Sequence, residues 1–426
     1  MPKARLQCLM NGEPVGSWQL NANHQDQFLY QSSWLQLPGS RPLSLSMPMR
    51  GPAYRGGVVT SFFDNLLPDL PAMRTRLAAR LGVKSSAPWD ILSELGRDCA
   101  GAIQLIPEHI PRAPQRVSGV PLRPETLGKF LKIVPRTPIL RCLRHHFRVA
   151  LAGVQEKTAL LFYQGQWRMP THSTPTTHIF KLDNAENEYL CQLILKAYGI
   201  PTVNSQLHSV GALAVERFDR RWSSDGTRLL RIPTEDMCQA LAVPSQQRYQ
   251  RDGGPGIKQI MDLLLGSAQA NQDRLDFFRT QIVYWLLAAL DGHAKNFSIF
   301  VEAGGRFRLA PRYDVVSSYP NANQDMAMAV DGQYAWDQIT PQHWLNQARA
   351  CKLKGQVLPM IRQLVEQTPQ VIASVRAQLP WDFPAQLADS ILQGLSQKTS
   401  QLSGLENATR VEQPPPCGYC IHPTGT

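Results

Sequence analysis

The stretch from Leu290 to Asp314, LDGHAKNFSIFVEAGGRFRLAPRYD, constrains the fold of this chain more than any other. It follows a segment, 274–290, that is apolar on most faces and therefore predicts a buried helix. The runs FSIFV and RFRLA flank a Gly-Gly turn, which predicts two strands that bring the chain back on itself. We therefore expect Asp291, Asn296 and Asp314 to lie close together at the end of a buried helix.

These three polar side chains admit two interpretations. Asp291 and Asn296 are five positions apart, the interval between the base and the metal-binding Asn in the catalytic loop of protein kinases. Phosphoryl transfer needs two oxygen ligands for Mg²⁺, here Asn296 and Asp314, and a further carboxylate to align or deprotonate the attacking hydroxyl. A polar turn between a helix and a hairpin is the alternative, and the stretch alone does not separate the two.

The composition of the whole chain is that of a folded globular protein. Of its 426 residues, 43% are hydrophobic and 18% are charged, and the length predicts about two or three domains. No apolar run is long enough to span a membrane and the N-terminus MPKARLQC has no apolar signal core, so we expect a cytoplasmic protein. The eight cysteines are scattered, as free thiols are. The net charge of +11 favours nucleic acid, acidic proteins or nucleotides as partners.

The pattern of elements along the chain predicts two lobes. A hairpin around Asn11 and Gly12 opens an α+β region, and strands with one amphipathic helix follow it. Helices predominate after about residue 234. We place an N-terminal α+β region at 1–135, a β-rich unit at 136–233, a helical lobe at 234–405 and a disordered tail at 406–426. The predicted fold class is α+β, a two-lobed atypical protein-kinase-like fold with a β-rich small lobe and an all-helical large lobe.

Such a plan requires a phosphate loop and a lysine in the small lobe. The lysine candidate is Lys181, on a predicted strand, with Glu188 or the competing Glu186 of the next helix as its ionic partner. A solvated edge lysine is the alternative. The loop candidate has only one glycine, and an ordinary hairpin loop is its simpler interpretation. It consists of Ala152, Gly153, Val154, Gln155, Glu156 and Lys157.

Motifs at many ordered places resemble the HipA-type serine/threonine kinases, the toxins of bacterial toxin–antitoxin pairs. The resemblance runs through nearly the whole chain, in the order that the motifs have in the family. The motifs are FFDNLLPD (62–69), SELGRDCAGA (93–102), AGVQEKTALL (152–161), PTTHIFKL (175–182), ALAVERFDRRW (212–222), EDMCQ (235–239), GGPGI (253–257), DGHAKNFS (291–298) and YD (313–314).

The resemblance implies an ATP and Mg²⁺ site and assigns its residues. Residues 152–157 would close over the phosphates and Lys181 would contact them. The adenine would meet the chain at Glu216, Arg217 and Phe218. Asp291 would be the proton acceptor. The remaining residues of the nucleotide and metal site would be His293, Ala294, Lys295, Asn296, Tyr313 and Asp314, with Asn296 and Asp314 as the Mg²⁺ ligands.

The resemblance also implies partners. A small dimeric DNA-binding antitoxin would hold the chain on operator DNA, giving it a nucleoid association, and the protein substrate would be an aminoacyl-tRNA synthetase. The segment QARACKLK would contact operator phosphates through Arg349, Lys352 and Lys354. A solvated helix face is the ordinary interpretation of such a charge run. A co-repressor with weak or absent kinase activity, or a small-molecule kinase, is the alternative function.

Two further features concern regulation and the tail. Family members carry a serine just before the phosphate loop, and its autophosphorylation ejects the loop and switches the kinase off. This chain has Ala150 there, so we expect no self-inactivation by that route. Cys417 and Cys420 with His422 resemble half of a zinc site, but zinc takes four ligands and no second pair is nearby.

Overall fold

The first unit is an antiparallel sheet with helices against it. The computed structural model describes residues 4–21, 23, 25–110, 117–133, 157–208, 211–322, 324–353 and 355–402. The strands of this sheet are β1 (Ala4–Met10), β2 (Glu13–Leu20), β3 (Asp26–Tyr30), β4 (Tyr54–Arg55) and β5 (Ile103–Pro107). They lie in the order β4-β3-β2-β1-β5. The Asn11-Gly12 hairpin prediction is confirmed, because β1 pairs with β2 and both turn residues have positive φ, 50° and 89°.

Four helices pack with this sheet around an aromatic core. They are α1 (Ser32–Gln36), α2 (Gly57–Asp64), α3 (Pro71–Leu81) and α4 (Pro88–Leu95). The indole of Trp18 on β2 stacks on the ring of Phe63 on α2, with centroids 3.9 Å apart. Both side chains are buried, so the stack fixes α2 against the sheet. The FFDNLLPD motif continues from α2 into the turn before α3, and its final acid is therefore held in a rigid unit.

The second unit is a mixed layer of sheet and helix. Its strands are β6 (Gly119–Pro121), β7 (Lys157–Tyr163), β8 (Gln166–Pro170), β9 (His178–Lys181), β10 (Ser205–His208) and β11 (Ala212–Glu216), and its helices are α5 (Pro124–Ile133) and α6 (Ala185–Ala197). The strand order is β10-β11-β9-β7-β8-β6. A small hairpin, β12 (Arg220–Trp222) with β13 (Leu229–Arg231), follows.

The boundary expected at residue 135 needs a correction. Strand β6 pairs with β8, and Leu127 and Leu131 of α5 pack in one core with Leu160 and Phe180 of the second sheet. Residues 119–133 therefore join the second unit, because the described apolar side chains of α5 are buried against its sheet. The predicted strand at 147–151, Ala150 and the loop positions 152–156 lie outside the described residues.

The third unit is mainly helical and also contains two small sheets. Its elements are β14 (Thr234–Asp236), α7 (Met237–Ala240), α8 (Ile257–Leu263), α9 (Ala270–Leu286), β15 (Ser298–Val301), β16 (Phe307–Leu309), β17 (Asp325–Val330), β18 (Gln333–Ala335), α10 (Pro341–Ala350), α11 (Val357–Gln378) and α12 (Ala385–Ser400). The lobe is thus not wholly helical. The predicted hairpin is confirmed, since β15 pairs with β16, and β14 adds a third strand.

Helix α9 is the centre of this unit. Ile282, Val283 and Trp285 have no exposed surface, which confirms the prediction of a buried helix. A phenol–hydroxyl hydrogen bond of 2.6 Å joins Tyr198, just after α6, to Thr368 on α11, so the second and third units are packed together. No helix in the described part of the chain combines the length and the apolar character needed to cross a membrane.

A buried cluster of charges joins the first unit to the second. The Asp98 carboxylate, after α4, accepts from the guanidinium groups of Arg217, Arg220 and Arg231 at 3.3, 2.8 and 3.1 Å. Burial would raise the pKa of Asp98, but these three cations outweigh burial and hold it well below its usual range. Asp219 balances part of the positive charge through Arg217, at 2.8 Å. The first unit is thereby tied to the segment that follows β11.

Candidate active site

The loop after α9 presents Asp291 and Asn296 together. The side-chain amide nitrogen of Asn296 donates to the backbone oxygen of Asp291 at 2.8 Å, and the backbone N–H of His293 donates to the same oxygen at 2.8 Å. A carbonyl oxygen only accepts hydrogen bonds, so the nitrogen of the Asn296 amide must face it. The amide oxygen of Asn296 therefore remains available for a cation.

The strand β16 leads the chain back to Asp314, which contacts the lysine of the small lobe. Lys181 Nζ lies 2.5 Å from Asp314 Oδ1, and 2.7 and 2.9 Å from the two carboxylate oxygens of Glu188. Asp314 has a φ of 59°, a left-handed conformation that an Asp tolerates better than most residues. Of the two glutamates weighed as partners of Lys181, the structure therefore selects Glu188.

The ion pairs of Lys181 keep Lys181 and Asp314 in their charged forms. Burial would lower the pKa of Lys181, but Asp314 and Glu188 outweigh burial and raise it. Burial would raise the pKa of Asp314, but Lys181 holds it below its usual range. Lys181 is therefore an ammonium and Asp314 a carboxylate at neutral pH. Burial also lowers the pKa of His293, which favours the neutral imidazole.

A single cleft of about 1110 Å³, part of it open to solvent, brings most of the predicted site residues together. Ala294 does not line the cleft, because it is fully buried beneath the loop. Ala152, Gly153, Val154, Gln155 and Glu156 fall outside the described residues. The predicted residues that line the cleft are Lys157, Lys181, Glu216, Arg217, Phe218, Asp291, His293, Lys295, Asn296, Tyr313 and Asp314.

Part of the lining of the cleft is aromatic. The ring of Phe218 stacks on that of Tyr313, with centroids 5.5 Å apart and planes at 22°. The Tyr313 hydroxyl donates to the backbone oxygen of Lys295 at 2.9 Å and lies 2.6 Å from the hydroxyl of Ser298. Arg217 turns its guanidinium into the Asp98 cluster, so only the remainder of that residue is available to a ligand.

The cleft is also lined by Asn65 and Asp69, to which the sequence assigned no role and which contact Lys295. Lys295 Nζ lies 2.5 Å from Asp69 Oδ1 and donates to the backbone oxygen of Asn65 at 3.2 Å. Arg248 is 3.8 Å from the other Asp69 oxygen. Asn65 and Asp69 belong to FFDNLLPD, so the motif itself was the available signal. The sequence could not predict that Asp69 contacts Lys295 in the loop 291–296, because more than two hundred residues separate the two side chains in the chain.

Two acids from the EDMCQ motif also lie at the cleft. The carboxylate of Asp236 accepts from the backbone N–H of Gln239 at 2.8 Å and caps α7. Burial raises the pKa of Asp236 to about 7, against the opposing charge of Lys295. Burial likewise raises the pKa of Glu235 to about 8, and its carboxylate accepts from the backbone N–H of Leu45 at 2.8 Å. The cleft therefore contains acids that change protonation near neutral pH.

The donor set fits Mg²⁺ bound together with a nucleotide. Within the described ranges, no three His, Cys, Asp or Glu side chains gather into a cluster that could hold a metal by themselves. Asn296 and Asp314 supply one amide oxygen and one carboxylate to the cleft. Mg²⁺ is commonly bound in this way, by one or two protein oxygens and by substrate phosphates. Asn296 and Asp314 are therefore the residues that would hold it.

The fold and the cleft define a two-lobed, atypical protein-kinase-like protein. A family model described as HipA N-terminal domain matches residues 6–106, and one described as HipA-like C-terminal domain matches residues 149–372. The chain belongs to the HipA family, which confirms the resemblance that its motifs indicated.

Two curated relatives and one solved structure illustrate this membership. Putative kinase Y4mE of Sinorhizobium fredii is 32% identical and covers 87% of this chain and 91% of its own length. The serine/threonine-protein kinase toxin HipA of Shewanella oneidensis is 28% identical, over 82% of this chain and 84% of its own. HipA in the solved complex with HipB and operator DNA from Shewanella oneidensis MR-1 superposes with a TM-score of 0.82 at 23% identity, covering 96% of this chain and 100% of that one. The superposition confirms the predicted fold class.

Proposed function

We propose that this chain is an ATP-dependent serine/threonine protein kinase that acts as the toxin of a toxin–antitoxin pair. The observation that carries the proposal is Lys181, held between Glu188 and Asp314 in the cleft that Asp291 and Asn296 also line. A lysine paired with a helix glutamate, a base, an amide and a metal-binding acid are the parts that protein kinases use. The kinase names of the two curated relatives support the same activity.

The chemistry follows from the charges of these side chains. Lys181 and the nearby cations attract the phosphates of ATP, and Asp291 accepts the proton of a serine or threonine hydroxyl. The hydroxyl oxygen forms a bond to the γ-phosphorus while the bond to the β–γ bridging oxygen breaks, and ADP leaves. Asn296 and Asp314 would hold Mg²⁺, which would supply positive charge against the phosphate oxygens. Most of the acceleration would come from positioning and electrostatics.

The adenine is proposed to lie against Glu216, Arg217 and Phe218. The Phe218–Tyr313 stack supports this, because it gives one wall of the cleft an apolar, planar surface. The loop positions from Ala152 to Glu156 are proposed to cover the phosphates. Lys157 follows these loop positions in the chain. It begins β7 and lines the cleft, where a phosphate loop would rejoin the sheet.

The proposed partners are an antitoxin dimer and operator DNA, and the proposed substrate is an aminoacyl-tRNA synthetase. The relative from Shewanella oneidensis was solved with HipB and operator DNA. In this chain Arg349 lies in the last turn of α10 and Lys352 follows the helix, and both are exposed. Such side chains would add sequence-independent affinity for phosphates. Lys354 and the Cys417/Cys420 pair lie outside the described residues.

Expression without an antitoxin tests the kinase toxin. We expect the unaltered chain to arrest growth and Asp291→Asn, which removes the proton acceptor, to permit it. Asp262→Asn is the control, because Asp262 is an exposed acid paired with Lys258 away from the cleft. Equal normal growth of all three strains would overturn the toxin proposal and favour the co-repressor. Phosphoproteomics of arrested cells would identify the substrate.

The alanine at position 150 leads to a separate proposal about regulation. A kinase of this type that lacks the loop serine is proposed to remain active after incubation with ATP. Thr158 is the nearest hydroxyl along the chain among the described residues and is only 2% exposed, so it is a poor acceptor. Phosphosite mapping should therefore find no phosphate within 147–158, and activity should not decline with preincubation. Phosphate in this range together with a decline in activity would contradict the proposal.

A further inference from the structure

The segment before α8 crosses the catalytic loop and brings a tyrosine to the proposed base. The phenol of Tyr249 donates to Asp291 Oδ1 at 2.5 Å. The two residues are 42 positions apart, so the contact is created by tertiary packing. Tyr249 was not among the site residues that the motifs indicated, although it lies just before GGPGI.

The backbone of this segment is fixed by several contacts. The backbone oxygen of Tyr249 accepts from the N–H groups of Asp252 and Gly254 at 3.0 and 2.9 Å, and the backbone oxygen of Arg248 accepts from the N–H of Ala294 at 3.3 Å. A Cβ at Gly254 would come within 2.1 Å of the backbone oxygen of Gln247, so only glycine permits this close turn. The turn therefore holds Tyr249 in one place over the loop.

The ring of Tyr249 is fixed as well. Its edge contacts the imidazole of His293, with centroids 5.0 Å apart and planes at 83°. The guanidinium of Arg248 lies 4.7 Å from the centre of the tyrosine ring. Both of these contacts are made by the ring, so they would persist in a phenylalanine. The hydroxyl can thus be removed without removing the packing.

The phenol remains a proton donor at every physiological pH. Burial raises the pKa of Tyr249, and the negative charge of Asp291 raises it further. In the described part of the chain, no other side chain donates to the Asp291 carboxylate. One oxygen of the carboxylate is therefore occupied by Tyr249, and the other is left for the acceptor hydroxyl.

We infer that Tyr249 is a positioning residue for phosphoryl transfer, which orients Asp291 so that Oδ2 meets the acceptor hydroxyl. The inference rests on the proposed role of Asp291 as proton acceptor. Without the phenol the carboxylate can rotate and both oxygens become solvated. A hydrogen bond to a charged group is strong enough that its loss should slow transfer by about 10- to 100-fold. Because the residue does not line the cleft or contact either proposed metal ligand, nucleotide affinity should be unchanged.

The experiment measures ATP hydrolysis by the purified full-length chain, with water as the acceptor and kcat and KM determined separately. Tyr249→Phe should lower kcat by about 10- to 100-fold and leave KM for ATP unchanged. Tyr334→Phe is the matched control, because Arg251 lies 4.7 Å from the Tyr334 ring in the same way. That control should retain full activity.

A double-variant cycle separates positioning from a purely structural role. In the Asp291→Asn background, adding Tyr249→Phe should cause no further loss, because the tyrosine acts through the carboxylate. An unchanged kcat, an equal loss in both backgrounds, or phosphate mapped onto Tyr249 would each overturn the inference. If the unaltered chain neither hydrolyses ATP nor arrests growth, the proposed function fails together with the inference. An active wild type, an Asp291→Asn variant with strongly reduced but measurable activity and a fully active Tyr249→Phe would refute the inference alone.

Discussion

The buried ion pair between Lys295 and Asp69 joins the first unit to the loop 291–296. The variant Asp69→Asn measures how much this pair contributes to the free energy of unfolding. Lys295 Nζ is 2.5 Å from Asp69 Oδ1, and the two side chains are only 3% and 1% exposed. Asparagine keeps the shape and removes the charge, so the ammonium stays buried without its counter-ion. Arg248, at 3.8 Å from the other oxygen, also loses its partner. Breaking a buried pair in this way costs about 3–5 kcal/mol of unfolding free energy.

An exposed pair of the same chemistry provides the control. Lys258 and Asp262 are 2.6 Å apart, but their side chains are 55% and 48% exposed. Solvent screens such an exposed pair, so it contributes far less to the free energy of unfolding than a buried pair does. Asp262→Asn should therefore be much less costly than Asp69→Asn, although the two contact distances are nearly equal.

Calorimetric unfolding of the full chain tests this difference. In a cooperative unit of about 150–250 residues each kcal/mol lowers Tm by about 2–4 °C, so Asp69→Asn should lower it by roughly 6–20 °C. Adding Lys295→Met to Asp69→Asn should recover part of the loss, since it removes the unpaired buried charge. A decrease for Asp69→Asn no larger than for Asp262→Asn would refute the reasoning, and so would a double variant that is less stable than Asp69→Asn.

Three further predictions concern the cleft and the basic segment. Glu188→Gln should weaken MgATP binding and lower kcat, whereas the matched Glu186→Gln should change neither; equal effects would contradict the assignment of Glu188 as the partner of Lys181. The folded chain retains a proton on Glu235, whose pKa burial raises from 4.5 to about 8, so its stability should fall as pH rises through this window. Glu235→Gln should therefore raise Tm at pH 8 and not at pH 4, and a gain at both would exclude the linkage. Replacing Arg349 and Lys352 with Gln should reduce the slope of the salt dependence of operator binding, measured on the antitoxin complex, by about one unit for each DNA phosphate that the chain no longer neutralises. An unchanged slope would exclude these two side chains from the DNA interface.

Local sequence patterns were sufficient to predict the helix and the hairpin that carry the site residues. The apolar character of 274–290 predicted the buried helix, and the Gly-Gly turn between two apolar runs predicted the β15–β16 hairpin that returns Asp314 to the loop. These two predictions are confirmed because each depends on near neighbours in the chain, whose geometry is set by helix and strand periodicity. The phosphoryl-transfer chemistry that the interval from Asp291 to Asn296 indicated stays a prediction.

Only the tertiary structure decided which distant side chains meet. Periodicity left both Glu188 and Glu186 as candidates, and the packing of α6 against β9 selected Glu188. The contacts of Asp69 with Lys295 and of Tyr249 with Asp291 depend on how whole units pack together, and separation along the chain carries no information about that. The sequence by itself thus determined the fold class and the elements that flank the loop 291–296. The packing of three units around that loop decided which side chains support it.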